Sequence, residues 1–308
     1  MATYYQRITV LINPRAGKQS ATSAEQVAEA FSAAGCHEPE IRLTEGSSFT
    51  EAAADSLRRG STMIVAAGGD GSVSAVASAI AGSDAALGVL PLGTLNHFAK
   101  DLGIPLDLPK AAAVIANART VAVDVGEANG RPFINNASIG MYASLVSERA
   151  SMERIGRGKW IAHGLAALRV WRRYRSLRVE VRSSNVEARS TFDVKPSTFA
   201  VRTPFVFVGN NEYQLSGLEL GGRKVLAAGR LHVCMAPGMS RGGVARLILE
   251  AIFGDVGRLD GFDSFTATAV TLDSGTARVR ASVDGEVVTL DNPLTFRIRP
   301  GALRVVVP

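Results

Sequence analysis

An apolar run, Met63-Ile64-Val65-Ala66-Ala67, leads directly into Gly68-Gly69-Asp70-Gly71-Ser72, then into Val73-Ser74-Ala75-Val76-Ala77-Ser78-Ala79-Ile80. The run reads as a buried strand, and the last stretch reads as a small-residue helix. Strand, glycine turn and helix form the repeating unit of an open parallel sheet. The unit recurs where residues 8–13 run into Asn13-Pro14-Arg15-Ala16-Gly17-Lys18. It recurs again where Leu87-Gly88-Val89-Leu90 meets Pro91-Leu92-Gly93-Thr94-Leu95-Asn96. From residue 7 to about 127, strands are expected at 8–13, 40–43, 63–67, 87–91 and 121–126. Helices are expected between them at 20–34, 48–59, 72–81, 95–102 and 108–116. The alternation predicts a doubly wound, mostly parallel α/β sheet whose strand-end loops converge on one crevice.

The chemistry of that crevice follows from the loops. Free N–H groups at a helix start favour anionic oxygens. Glycines let a phosphate approach the backbone, because no Cβ intervenes. An acid inside such a turn would repel a bare phosphate, so Asp70 implies a cation or hydroxyl in between. A nucleoside triphosphate with Mg²⁺ satisfies both conditions. Gly68, Gly69, Gly71, Asn13, Gly17, Thr94 and Asn96 are suited to hold it. A P-loop is excluded, because Gly17-Lys18 is followed by Gln19 and has no glycine five residues earlier. The dinucleotide fingerprint is absent at the first strand.

Asn129-Gly130 marks a turn, after which the pattern changes. Two basic helical stretches lie between Tyr142 and Tyr174. Strands are then expected at 177–182, 199–210, 231–235, 265–272, 277–283, 286–290, 294–298 and 303–307, with a helix at 241–253. That pattern predicts an antiparallel sandwich or barrel. The expected domains are 1–129, nucleotide-binding, and 130–308, β-rich and substrate-binding. From Arg149 to Arg182, nine Arg and one Lys face only Glu153 and Glu180, an excess larger than the whole chain's +6. So localised a charge points to one anionic partner rather than to nucleic acid. Trp160, Ile161, Gly164, Leu165, Leu168 and Trp171 recur at helical spacing beside those arginines. This suits either a membrane–water interface or a helix packed on its own domain.

Cys36 and Cys234 provide no disulfide framework, and His37, His163 and His232 lack metal-ligand spacing. Neither Ser72 nor Ser138 sits in a nucleophile-elbow motif. No signal peptide or membrane span is legible, so the expectation is a soluble, cytoplasmic protein, which must visit the membrane surface if it acts on a lipid.

Taken in order, Asn13-Pro14 to Gly17, Gly68-Gly69-Asp70-Gly71, Pro91 to Ala99, Asn135-Asn136-Ala137-Ser138-Ile139-Gly140 and Asp284-Gly285-Glu286 resemble the diacylglycerol kinase catalytic family. That family includes bacterial lipid kinases and sphingosine kinases. The resemblance implies ATP- and Mg²⁺-dependent phosphorylation of a lipid hydroxyl in a cleft between the two domains. It implies that Pro14, Ser72 and Gly93 line the nucleotide site with the glycines, and that Thr44 contacts the nucleotide, though Thr44 could equally cap a helix. It implies that Glu286 is the general base, with Asp284 its neighbour or alternate, although Asp-Gly alone reads as a hairpin turn. Asp70 is expected to reach Mg²⁺ through water. Asp124 either joins that network or caps a turn.

The sequence departs from the family twice. His97 stands where the family commonly has Asp, and a neutral imidazole is no substitute for a hard oxygen near Mg²⁺. Ala227 and Ala228 stand where many bacterial members have an acidic pair, so a structural metal there is expected to be absent or held by backbone groups. Two other readings remain open. One is a soluble-substrate kinase resembling NAD kinase, and the other is a catalytically silent nucleotide- or lipid-binding regulator.

Overall fold

Apolar runs that must be covered on both faces set the architecture of the first half. A computed structural model describes residues 7–16, 24–36, 39–141, 176–185, 198–214, 222–243 and 262–308. The chain runs β1 (Ile8–Ile12), α1 (Ala24–Ala33), β2 (Glu40–Leu43), α2 (Phe49–Arg58), β3 (Met63–Gly68), α3 (Asp70–Ile80) and β4 (Ala86–Pro91). It continues through α4 (His97–Asp101), α5 (Leu108–Asn117) and β5 (Thr120–Ala128). Every residue of β3 and β4 is buried. Parallel pairing orders the strands β2-β1-β3-β4. Val10, Ile12, Val65 and Leu87 pack with Phe31, Phe49, Val76, Ile80 and Ile115 from the helices. Each such side chain contributes roughly 1.5–3 kcal/mol when removed from water.

The second half adds β6 (Arg131–Phe133), β7 (Asn136–Gly140), β8 (Leu177–Ser184), β9 (Thr198–Thr203), β10 (Phe205–Asn210) and β11 (Leu231–Met235). It ends with β12 (Asp263–Ala267), β13 (Ala269–Asp273), β14 (Arg278–Val283), β15 (Glu286–Asp291) and β16 (Leu294–Val306). A six-stranded antiparallel sheet has the order β12-β11-β10-β7-β14-β15. Its inner face, carrying Ile139, Val206, Val233 and Val283, packs on Val179, Val181, Val270 and Phe296 of the other sheet. The mixed α/β fold with a separate antiparallel sheet agrees with the sequence reading.

Several details differ from it. Residues 199–210 form two strands in different sheets, because Pro204 has no N–H to continue a ladder. Residues 265–272 likewise divide at Thr268, with β12 in one sheet and β13 in the other. The two expected strands at 294–298 and 303–307 are instead one strand, β16, with its register shifted between Arg299 and Leu303. The end of β16 pairs in parallel with β4, so the last strand of the chain completes the first sheet. The strand Asn136–Gly140 had no sequence signal. No helix among the described residues is long and apolar enough to cross a membrane. The basic segment from Arg149 to Tyr174 and Gly17 lie outside the described residues.

Candidate active site

Adjacent strands β2, β1, β3 and β4 bring Thr44, Asn13, Gly68 and the Pro91–Asn96 turn to one edge of the sheet. Thr44 is buried, its N–H donating to the Ile12 carbonyl at 2.8 Å and its hydroxyl to the Arg42 carbonyl at 3.4 Å. It does not cap α2, whose N-cap is Ser48. Asn13 Oδ1 accepts the N–H of Arg15 at 3.0 Å, and its Nδ2 donates to Ser72 Oγ at 3.4 Å. Pro14 follows within the same turn.

Two glycine turns touch backbone to backbone. A Cβ on Gly93 would lie 2.4 Å from the Gly69 Cα, and one on Gly68 would lie 2.5 Å from Ser72 Oγ. The N–H of Leu92 donates to the Gly68 carbonyl at 3.0 Å, which locks the two turns together. A Cβ on Gly71 would meet nothing within 4 Å. Gly69 is extended and caps α3, so the helix begins at Asp70 rather than at Ser72.

Asn96 is buried in the left-handed conformation, with φ 52°. Its Oδ1 accepts the N–H of Gly93 at 3.0 Å, and its Nδ2 donates to the carbonyls of Pro91 and Gly93. Its amide therefore shapes the turn and leaves Thr94 exposed at the rim. Asp70 Oδ1 accepts the N–H of Phe98 at 3.2 Å, capping α4 from the neighbouring helix. His97, the first residue of α4, is exposed.

The acidic turn approaches α3 from the other sheet. Val283 pairs with Glu286, and Asp284 and Gly285 both have positive φ, so the turn is a two-residue hairpin. It does more than reverse the chain. Asp284 Oδ1 accepts the N–H groups of Asn135 at 2.8 Å and Asn136 at 3.0 Å. Its Oδ2 accepts the N–H of Ile134 at 2.8 Å and the hydroxyl of Ser74 on α3. Burial pushes this carboxyl above its ordinary value of 3.8, while Ser74 and the three N–H groups pull the other way. Glu286, 65 % exposed, pairs with Arg131 on β6.

The remaining predicted acid is committed elsewhere. Asp124 on β5 is buried, with Oδ2 accepting the N–H of Gly229 at 2.6 Å and Oδ1 that of Gly301 at 2.9 Å. Gly301 lies where β16 shifts register, so Asp124 captures an N–H that the β5–β16 ladder leaves free. The Ala227–Ala228 loop is held by this contact and by Asn211 Oδ1, which accepts the N–H of Ala228 at 2.9 Å. Asp124 thus clamps two turns, with one N–H on each carboxylate oxygen. Among the described residues no three His, Cys, Asp or Glu side chains cluster to hold a metal. Asp70 keeps one carboxylate oxygen clear of its helix-capping bond. That fits Mg²⁺, which takes one or two carboxylates and fills its shell with phosphate and water.

Residues 7–128 match the diacylglycerol kinase catalytic domain. Residues 136–307 match the YegS C-terminal NAD kinase beta sandwich-like domain. The chain belongs to the diacylglycerol kinase family of YegS-like lipid kinases. It is 33% identical over 180 residues to the diacylglycerol kinase of Bacillus subtilis strain 168, covering 57% of this chain and 59% of that one. It is 30% identical over 279 residues to a YegS-like probable lipid kinase of Pseudomonas syringae pv. syringae strain B728a, covering 88% and 84%. A crystal structure of a diacylglycerol kinase from Bacillus anthracis str. Sterne shares the fold at TM-score 0.68 and 18% identity, covering 99% of this chain and 98% of that one.

The glycine turns and the acidic turn carried the sequence resemblance to this family. Other residues are brought beside them only by the fold. Ser74, Asp101, Arg131 and Arg223 had no local motif. Ser74 was one small residue in a small-residue helix. Arg223 lies 122 positions from its ion-pair partner Asp101. Cys234 and His232, 3.5 Å apart, form no nucleophilic pair, because burial pushes the thiol up to about 12 and the imidazole down.

Proposed function

We propose that this kinase-family chain transfers the γ-phosphoryl group of ATP to a hydroxyl of a diacylglycerol-like or sphingoid-like lipid. The observation that carries this reading is the hydrogen bond from Ser74 to Asp284. It sets the acidic turn of one sheet against the helix that begins at the glycine turn of the other. Phosphoryl transfer asks the protein mainly to position nucleotide and acceptor and to balance charge. The N–H groups around Gly68, Gly69, Gly71 and Ser72 face the phosphates, and Asn13, Pro14, Thr44, Gly93 and Thr94 complete the nucleotide's wall. Asn96 supports them by holding the second turn closed.

Mg²⁺ bound with the nucleotide would screen the phosphate charge, and Asp70 is the carboxylate placed to hold it, directly or through water. Asp284 has four hydrogen-bond donors on its two oxygens, which fills its usual capacity. Asp284 therefore fixes the turn. Glu286, on its exposed side, accepts the proton of the attacking hydroxyl. Arg131 holds that carboxylate in place. The excess of arginine from Arg149 to Arg182 suits an anionic membrane surface, where each basic residue contributes about 1 kcal/mol.

The test is transfer of labelled phosphate from ATP to diacylglycerol, sphingosine, NAD or no acceptor. Label in a lipid and not in NAD is expected. Label in NAD alone supports the soluble-substrate reading. ATP binding without transfer to any acceptor supports the silent regulator.

A further inference from the structure

A closed ring of hydrogen bonds runs from α3 back to α3 through residues far apart in the chain. Asp70 on α3 caps Phe98 on α4. Three residues further on, at the end of α4, Asp101 accepts from Arg223 Nε at 2.8 Å and from the Arg223 N–H at 3.2 Å. The Arg223 side chain is 0% exposed. Its Nη1 donates to the Ile134 carbonyl at 2.6 Å and to the Asn210 carbonyl at 3.1 Å. Its Nη2 donates to Asn135 Oδ1 at 2.9 Å. Ile134 and Asn135 are two of the three residues whose N–H groups grip Asp284. Asp284 returns the ring to α3 through Ser74. Phe98 and Tyr213 lie near the guanidinium, at 5.9 Å and 5.3 Å from ring centroid to Cζ.

We infer that Arg223 is a positioning residue for the acidic turn, and that with Asp101 it ties the placement of Glu286 to the helix that follows the second nucleotide turn. A planar fork with several fixed donors can hold two carbonyls, an amide oxygen and a carboxylate at once, which an ammonium cannot. The buried charge is fully partnered, so the arrangement is rigid rather than strained. α4 is also the helix capped by Asp70, so Asp101 and Arg223 fix the Ile134–Asn136 segment to the frame that carries the glycine turn. The function assigned to Arg223 rests on the phosphoryl-transfer reading above. The ring itself does not.

The experiment uses the full chain with Arg223→Lys, which keeps the charge and loses the fork. Asn135→Ala, which removes one acceptor of the fork, serves if Arg223→Lys does not fold. Two readouts are taken. The first is hydrogen exchange at the amides of residues 134–136, compared with the rest of β7; this needs no turnover and so tests the ring even if the protein transfers no phosphate. Faster exchange confined to 134–136 is expected. The second is steady-state kinetics in ATP. A kcat lowered by about tenfold to a hundredfold is expected, the range for a small misplacement of reacting groups. The KM for ATP should stay within about twofold, because nucleotide contacts are untouched. In a Glu286→Gln background the same substitution should cost little more. Unchanged exchange at 134–136, a parallel loss of ATP affinity, or a cost that adds in full to that of Glu286→Gln would each overturn the inference.

Discussion

The glycine turns and the acidic turn, joined through α3, are built by opposite means. The glycine side is held by the absence of side-chain atoms. Gly69 and Gly93 allow two backbones to approach where a Cβ would lie 2.4 Å from a neighbouring Cα. The acidic side is held by the presence of polar atoms, four donors converging on the Asp284 carboxylate. The first should fail when an atom is added and the second when an acceptor is removed. Within the acidic turn there is a further division, since Asp284 is saturated and Glu286 is exposed and paired with Arg131.

The largest effect tests that division. Glu286→Gln should lower kcat by at least about a hundredfold, the lower range for loss of a general base, with ATP affinity and thermal stability unchanged. Initial-rate assays and nucleotide titration check it. A near-normal rate would make the Asp284-Gly285-Glu286 segment a hairpin and nothing more.

Next comes the glycine contrast. Gly93→Ala should destabilise the fold by about 1–3 kcal/mol, as overpacking does, and weaken nucleotide binding. Gly71→Ala meets open space and should change stability by less than about 1 kcal/mol, since alanine is the better helix former. Denaturant midpoints of the two variants would separate them. Equal losses would mean the close approach of the two turns is not what holds the nucleotide side.

The smallest effect concerns pH. The Asp284 carboxyl titrates above its ordinary 3.8 in the folded chain because burial disfavours its charge. Over the interval from 3.8 up to that raised value, the folded state binds more protons than the unfolded state. The contribution of Asp284 to stability therefore falls as pH rises through that interval. Asp284→Asn should remove this component, flattening the difference in denaturation free energy between variant and wild type below its start and sloping across it. A slope of opposite sign would mean that the Ser74 and backbone bonds outweigh burial.

Much of the fold was legible from consecutive residues. β2 and β11 match their expected limits, and the strand–glycine–helix units appear where the apolar runs and turns placed them. Chains of short-range signals of this kind are written in turn chemistry and periodicity. The Asp284-Gly285 dipeptide signals a two-residue hairpin turn, and both residues take the positive φ values such a turn needs.

What the tertiary structure alone decided is which polar groups are already spent. Asp124 and Asp70 look equivalent along the chain, yet Asp124 accepts the N–H groups of Gly229 and Gly301, one on each oxygen, while Asp70 caps α4 with one oxygen. The Asn96 amide bonds within its own loop. The sheet that receives β16, the splits at Pro204 and Thr268, and the grip of Arg223 on Asp101 were equally out of reach. The reason is separation along the chain. Ser74 and Asp284 are 210 positions apart and Asp101 and Arg223 are 122 apart, so no local pattern relates them. Only the packing of one sheet against the other brings them within hydrogen-bonding distance.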